Sequence, residues 1–236
     1  MEKVAIVTGS SSGIGFETAL ALAREGYYTY ATMRDTKKGN QIKEVAKREN
    51  LKLEVLEIDV DKDETVQAAI NKIVKEKSRI DVLVNNAGYG LFGCLEDLSM
   101  DDLKAQFETN FFGVVRTSQA VIPVMRKQKS GIIVNVSSVA GRIGFPVSPA
   151  YISSKFALEG LSESMRYELS PFGIKIIIIE PGVIKTNFMP STKKSMKPDL
   201  KFTNLPLNFW AHVRSLSQSL GYTLRGTGEI RIFTIE

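Results

Sequence analysis

Short apolar runs alternate along the chain with longer segments in which apolar residues recur every three or four positions. The runs are typical of strands buried on both faces, and the longer segments are typical of amphipathic helices. Six strands are predicted, at Val4–Val7, Tyr28–Thr32, Leu53–Ile58, Ile80–Val84, Gly131–Val136 and Ile174–Ile179. Because helical segments separate them, we expect an α/β fold with one doubly wound parallel sheet and helices on both faces.

The helical pattern is clear up to residue 190 and irregular afterwards. Helices are predicted at Phe16–Glu25, at about Asn40–Glu49, at Asp101–Lys127 and from Tyr151 to Pro171. A further helix is predicted after Asp61, which could cap its N-terminus, and it runs to about Lys77. In the tail we expect a mobile loop over the site at Ser191–Lys201, a short helix at Phe209–Leu220 and a final strand at Glu229–Ile235.

Length and composition suit a single domain spanning residues 1–236. The chain has 236 residues, 43% of them hydrophobic and 24% charged, which is enough for a substantial core. The net charge is +5, but the basic residues are scattered, so we expect no nucleic-acid partner. One cysteine and one histidine argue against a disulfide and a metal site. No apolar run reaches the length of a membrane span, and no leader pattern appears, so we expect a cytoplasmic protein.

A glycine-rich segment, Thr8–Gly15, follows the first strand and precedes the first helix. In this context glycines let the backbone approach a pyrophosphate, and the helix N-terminus offers free N–H groups. Asn85-Asn-Ala-Gly88 closes the fourth strand, at the sheet edge where open α/β sheets bind ligands. The alternative for the glycine segment is a plain tight turn.

Tyr151 and Lys155 lie one helical turn apart and share a helix face. A nearby ammonium group favours the phenolate, so we expect Lys155 to lower the pKa of Tyr151 towards neutrality. The alternative is a solvated helix face. Asn135-Val-Ser-Ser138, just upstream, favours the catalytic interpretation.

The ordered set of motifs resembles the short-chain dehydrogenase/reductase family over residues 2 to about 190. The set is Thr8-Gly-x-x-x-Gly-Ile-Gly15, Asn85–Gly88, Asn110, Ser138, Tyr151-x-x-x-Lys155 and Pro181-Gly182-x-x-x-Thr186. Tyr30–Asp35 and Ser154–Leu161 are closest to the hydroxysteroid and retinol dehydrogenase branch. The resemblance implies a Rossmann-type fold and an oxidoreductase that transfers a hydride between a nicotinamide cofactor and a carbonyl or alcohol.

The resemblance also implies a role for each motif residue. Tyr151 would be the general acid/base, Lys155 would lower its pKa and hold the nicotinamide ribose, and Ser138 would bind the substrate oxygen. Asn110 would hold a water that links Lys155 to solvent. Besides Tyr151 and Lys155, the cofactor contacts would be Gly9, Ser11, Ser12, Gly13, Ile14, Gly15, Arg34, Asp59, Val60, Asn86, Ala87, Gly88, Pro181, Gly182, Ile184 and Thr186.

The end of the second strand favours NADP(H) over NAD(H). An NAD site places a carboxylate there, whereas this chain has Met33 followed by Arg34, whose guanidinium can pair with a 2′-phosphate. Ser11 could add a hydroxyl, and Asp35 could restore an NAD-type acid.

Loop residues near the motifs are apolar and predict a lipophilic alcohol or ketone as substrate: Leu91, Phe92, Phe145, Val147, Phe188 and Met189.

A second interpretation of the function keeps the fold but does not require catalysis. A dinucleotide-binding sensor or scaffold with little turnover would share the fold, although it would need no acid/base pair.

The resemblance implies one subunit interface built by the helices that carry Asn110 and Tyr151, and another built by the last helix and strand. Since residues from about 190 to 236 form an atypical lid and C-terminal segment, we expect a homodimer and doubt a tetramer.

Overall fold

The main feature of the fold is one seven-stranded sheet. The computed structural model describes residues 2–182, 184, 188, 192–194 and 230–234, with Lys194 and the last stretch as backbone only. Its strands are β1 (Val4–Val7), β2 (Tyr28–Met33), β3 (Leu53–Glu57), β4 (Val82–Asn85), β5 (Leu91–Phe92), β6 (Gly131–Val136), β7 (Ile174–Pro181), β8 (Lys193–Lys194) and β9 (Ile230–Thr234). The sheet order is β3-β2-β1-β4-β6-β7-β9, while β5 and β8 pair separately.

The six strands expected from the apolar runs are all present, and they pair in parallel. The doubly wound α/β prediction is therefore confirmed. The predicted final strand also exists, as β9, and it adds to the edge of β7 in the antiparallel direction. The chain order reverses between β1 and β4, which makes this junction the crevice in which such sheets bind ligands.

Helices cover the two faces of the sheet. They are α1 (Gly13–Arg24), α2 (Asn40–Arg48), α3 (Asp63–Lys77), α4 (Met100–Phe107), α5 (Gly113–Gln128) and α6 (Pro149–Leu169). In β1 the side chains alternate between the faces: Val4 and Ile6 join a core with α3, α5 and the end of α6. Ala5 and Val7 join a second core with α1 and α2. Both faces are thus apolar, as the continuous runs require.

Three helix predictions are wrong in detail. The segment predicted as one helix over Asp101–Lys127 is broken by a π-helical turn at Glu108–Phe112. The helix predicted to open at Tyr151 begins at Pro149, since proline is favoured in the first turn. Asp61 caps nothing: α3 begins at Asp63, while an Asp61 oxygen accepts a hydrogen bond from Thr109 at 3.0 Å.

The tail agrees with its prediction only in part. Lys193 and Lys194, expected in a loop, form β8 and pair in parallel with β5. The predicted helix at Phe209–Leu220 lies outside the described residues. No helix in the part of the chain that the structure describes is long and apolar enough to cross a membrane.

A line of buried polar side chains crosses the middle of the sheet. Asn85 on β4 donates to Asn135 on β6 at 2.9 Å, and Asn135 donates to Ser162 on α6 at 2.8 Å. On the other side, Thr117 and Ser118 of α5 bond the Asn85 amide at 2.7 and 3.2 Å. The two helices that flank the site are thereby fixed to the two strands between them.

Candidate active site

Most of the predicted site residues lie at one edge of the sheet. Each parallel strand ends at this edge, and the glycine segment, Arg34, Asp59, Asn86, Ser138 and Gly182 follow strands β1, β2, β3, β4, β6 and β7 respectively. Because parallel strands bring their carboxyl ends to the same edge, residues that are far apart in the sequence lie along one edge of the sheet.

The glycine turn is held in place by Asn86 and Thr8. The Asn86 amide donates to the carbonyl oxygens of Thr8 and Gly9 at 2.9 and 3.2 Å. In return the Thr8 hydroxyl accepts the backbone N–H groups of Asn86 and Ala87, both at 3.0 Å. The end of β4 therefore fixes the shape of the turn after β1.

The turn has the backbone conformation and the space that a phosphate cradle needs. Gly9 and Gly13 have φ of 68° and 61°, a region in which side chains are strained. A Cβ on Gly9 would come within 2.8 Å of the Ala87 backbone, and one on Gly15 within 2.5 Å of the Gly9 carbonyl. Helix α1 starts at Gly13, and Ser12 makes no side-chain cap, which leaves its N-terminal amides to a ligand. These residues fit a dinucleotide pyrophosphate.

The end of β2 separates the roles of Arg34 and Asp35. The Asp35 carboxylate accepts the backbone N–H of Lys37 at 3.0 Å and caps the short helical turn that follows. Arg34 is exposed, and its charge lowers the pKa of Asp61, although burial raises that pKa overall. Asp59 and Val60 follow β3, and the Asp59 backbone is held by the Thr65 hydroxyl.

Asn110 lies in the π-helical turn and is 1% exposed. Its amide group donates to the Tyr89 carbonyl at 3.0 Å and to the Ser154 hydroxyl at 3.2 Å, and its oxygen accepts the Tyr89 N–H at 3.1 Å. A Cβ on Gly88 would lie 3.1 Å from that oxygen. Asn110 thus ties the segment after β4 to helix α6.

Tyr151 and Ser138 meet through their hydroxyl groups. Tyr151 is 8% exposed, and burial raises the pKa of its phenol while the hydrogen bond with Ser138 lowers it in part. Ser138 also accepts the Ala140 N–H at 3.1 Å, which begins a helical turn after β6. The expected lowering of the Tyr151 pKa is wrong for this structure, because the desolvation of the phenolate outweighs the hydrogen bond with Ser138.

Lys155 is buried and reaches back to the end of β6. Its Nζ donates to the Val136 carbonyl at 2.7 Å and lies 5.9 Å from the centroid of the Tyr151 ring. Burial lowers the pKa of Lys155 to about 8, although the Glu159 carboxylate acts in the opposite direction. The ammonium group therefore gains or loses its proton close to physiological pH.

One aromatic side chain packs beside the Tyr151 ring, and several other predicted substrate contacts lie in the neighbouring segments. The Phe188 ring lies 5.7 Å from the Tyr151 ring, centroid to centroid, and also packs near Gly90. Leu91 is buried and Phe92 half-buried, and Val147 has a strained φ of 63°. Met189 and Thr186 lie outside the described residues. Pro181 ends β7, Gly182 follows it, and Ile184 is half-buried.

The sequence prediction missed a set of charged residues behind Lys155. Arg142, Glu159 and Glu180 are joined by ion pairs, and the two carboxylates are almost fully buried. One signal was present: Glu159 follows Lys155 by four residues and so shares its helix face. Within the described residues, no group of three or more side chains is arranged to hold a metal ion.

Two family models match the chain. Residues 3–197 match the model described as short chain dehydrogenase, and residues 196–236 match one described as a domain of unknown function. Curated relatives include the uncharacterized oxidoreductase YusZ of Bacillus subtilis, 39% identical over 97% of this chain and 79% of its own length. Human retinol dehydrogenase 8 is 44% identical over 79% of this chain and 60% of its own length.

Solved structures agree in fold. An alcohol dehydrogenase from the archaeon Thermococcus sibiricus, complexed with 5-hydroxy-NADP, superposes with a TM-score of 0.75 at 30% identity. The match covers 82% of this chain and 81% of that chain.

Proposed function

The chain belongs to the short-chain dehydrogenase family of oxidoreductases, and we propose that it transfers a hydride between NADP(H) and a mainly apolar alcohol or ketone. In this proposal Tyr151 is the general acid/base. One observation carries it. The buried phenol of Tyr151, the Ser138 hydroxyl and the buried Lys155 ammonium lie together beside a glycine turn shaped for a dinucleotide.

A protonated Tyr151 carries the proton that reduction of a carbonyl requires. Its raised pKa keeps the phenol protonated at neutral pH, so it can donate a proton to a carbonyl oxygen. The bound nicotinamide would supply the hydride. As negative charge develops on the substrate oxygen, the Ser138 and Tyr151 hydroxyls donate to it in a water-poor site. A charged Lys155 stabilises the phenolate that remains.

In the proposed mechanism Asn110 holds a water molecule in position. Both N–H groups of its amide are used by Tyr89 and Ser154. A water between Asn110 and Lys155 would therefore bind an oxygen atom of Asn110. In the proposal this water carries protons from solvent to Lys155.

The cofactor preference rests on the end of β2. Asp35 is the acid that could act as the ribose ligand of an NAD site. Its carboxylate already accepts a hydrogen bond from the backbone N–H of Lys37 and caps the helical turn there. Arg34 is exposed at the same edge, with Ser11 in the glycine turn. A guanidinium can pair with a 2′-phosphate in two hydrogen bonds. The Thermococcus alcohol dehydrogenase was solved with an NADP derivative, which supports the same choice.

An apolar substrate agrees with the walls of the site. Phe188 offers apolar surface beside the Tyr151 ring, and Leu91 shares an apolar cluster with Ala150, the residue before Tyr151. The name of human retinol dehydrogenase 8 refers to retinol, an apolar alcohol.

Helices α5 and α6 offer a surface for a second copy of the chain. Phe156 and Tyr167 on α6 are 46% and 71% exposed, and Phe112 beside α5 is 47% exposed. Between the two α6 aromatics lies Gly160, where a Cβ would meet no atom within 4 Å. Exposed aromatics around a small residue favour close helix packing, so we propose a homodimer through these helices.

Tyr151→Phe should lower turnover by about 10²- to 10⁴-fold, because the variant has no proton to transfer. Cofactor binding should persist. Tyr167→Phe, on the exposed face of the same helix, is the matched control and should behave like the wild type. The assay follows nicotinamide absorbance with ketones and alcohols. Near-normal turnover by Tyr151→Phe would remove the acid/base assignment, and a wild type that binds cofactor without turnover would indicate a sensor or scaffold.

Arg34→Ala should weaken NADPH binding by about 10- to 100-fold, since one charge-assisted contact is lost. NADH binding should change little. Titration by fluorescence gives both dissociation constants, and Arg48→Ala, at an exposed position on α2, controls for the loss of charge. Equal or tighter binding of NADH by the wild type would contradict the preference.

Lipophilic ketones should give a higher kcat/KM than small charged keto acids. Phe188→Ala should lower kcat/KM for the best ketone by about tenfold or more, because apolar contact area is lost. Phe172→Ala is the control, since Phe172 precedes β7 at the opposite edge of the sheet and packs on Arg126. A panel in which keto acids react fastest would refute the substrate class.

Gly160→Glu should convert the dimer to monomers in sedimentation velocity, because the new side chain would stand in the interface. The protomer has open space at this position, so thermal stability should hold. Lys47→Glu adds a carboxylate at an exposed position on α2 and should leave the dimer intact. A stable wild-type tetramer, or a wild-type monomer, would contradict the proposal.

A further inference from the structure

Arg142 joins three carboxylates behind the proposed active site. Its Nε lies 2.6 Å from an oxygen of Glu180, and its two terminal nitrogens lie 3.3 Å from Glu159 and 3.8 Å from Glu163. The side chains of Glu159 and Glu180 are only 6% and 3% exposed. Arg142 therefore pairs with two carboxylates that have almost no contact with solvent.

The cluster connects the three segments that carry the proposed chemistry. Arg142 ends the short helical turn that Ser138 begins. Glu159 lies one turn after Lys155 on α6, and Glu180 directly precedes Pro181 at the end of β7. One guanidinium thus fixes the spacing between the loop after β6, the helix and the last parallel strand.

A buried cluster of charges contributes little to the free energy of folding. Buried ion pairs lose hydration that their attraction only partly restores, and apolar residues of similar size often give equal or greater stability. Its place next to Lys155 suggests a role for the charge itself.

The Glu159 carboxyl is confined and electrostatically coupled on several sides. A Cβ on Gly141 would lie 2.9 Å from its Oε1 and 2.8 Å from the Ser137 hydroxyl, so only glycine leaves it room. Burial is the largest effect and, with the charge of Glu180, raises the pKa of Glu159 above its usual value, and Ser137, Arg142 and Lys155 oppose this rise only in part. Arg142 therefore helps to keep this carboxyl ionised.

We propose that Glu159 is a positioning residue for Lys155: one turn away on the same helix and held by Arg142, its carboxylate keeps the buried ammonium charged. The proposal rests on the role of Lys155 in the proposed function. The balance of forces on Lys155 agrees with it. Burial lowers the pKa of Lys155 and Glu159 raises it, while its Nζ donates to the Val136 carbonyl.

The first test measures Lys155 directly in the cofactor-free protein. NMR titration of ¹³C-labelled lysine side chains, with Lys155→Met to assign the signal, gives the pKa of this group. Glu159→Gln removes the charge with little change in shape and should lower that pKa by about one unit. Glu159→Asp keeps the charge and should restore most of the shift. Glu168→Gln, two turns further along α6 and exposed, should leave it unchanged.

The second test is the pH profile of ketone reduction. Activity that needs a charged lysine falls as pH rises through its pKa. The descending limb of kcat/KM should therefore move to lower pH by about one unit in Glu159→Gln, in step with the NMR shift. Arg142→Gln should move it in the same direction, because Glu159 would then take up a proton.

The outcomes separate this proposal from the proposed function. A folded Glu159→Gln variant with an unchanged Lys155 pKa would overturn the positioning role. Lower thermal stability with an unshifted pH profile would also overturn it, since that is the effect of a structural residue alone. A wild type without turnover but with the expected NMR shift would refute the proposed function and support the link between Glu159 and Lys155.

Discussion

A buried ammonium group is the constraint on which the site depends. Lys155 is 6% exposed, and an unpaired charge in such a position costs several kcal/mol, about the net stability of a small domain. The Val136 carbonyl and the Glu159 carboxylate provide the compensation. Lys155 lies on α6 and the Val136 carbonyl on β6, so the charge is most stable when the end of the strand and the first half of the helix keep their relative positions.

The buried amides of Asn85 and Asn135 give this strand and helix their fixed position. Apolar packing alone tolerates small sliding of a helix on a sheet, because its energy depends weakly on direction. Hydrogen bonds from β4 to β6 and from β6 to Ser162 do not, since they weaken steeply with misalignment. Each is worth about 1 kcal/mol in stability, yet leaving one partner unpaired costs about 1–3 kcal/mol. Their larger effect is therefore on geometry.

The sequence predicts the fold better than it predicts the electrostatics. Strands such as Val4–Val7 follow from local apolar runs, and the edge that carries Tyr151 follows from parallel pairing. The π-helical turn at Asn110 could not be read, because an amphipathic stripe continues across it. The raised pKa of Tyr151 depends on burial depth, and the contacts of Arg142 join residues 38 positions apart. Neither quantity is a local property of the sequence.

The direction of β9 has a consequence for how the end of the chain is connected. Ile230 pairs with Pro181, and Thr234 pairs with Ile177. An added parallel strand would require the chain to cross the whole sheet before returning. The antiparallel pairing avoids this crossover, since Pro181 and Ile230 stand at the same edge of the sheet. The register of the parallel strands therefore does not depend on the length of the chain that connects these two residues.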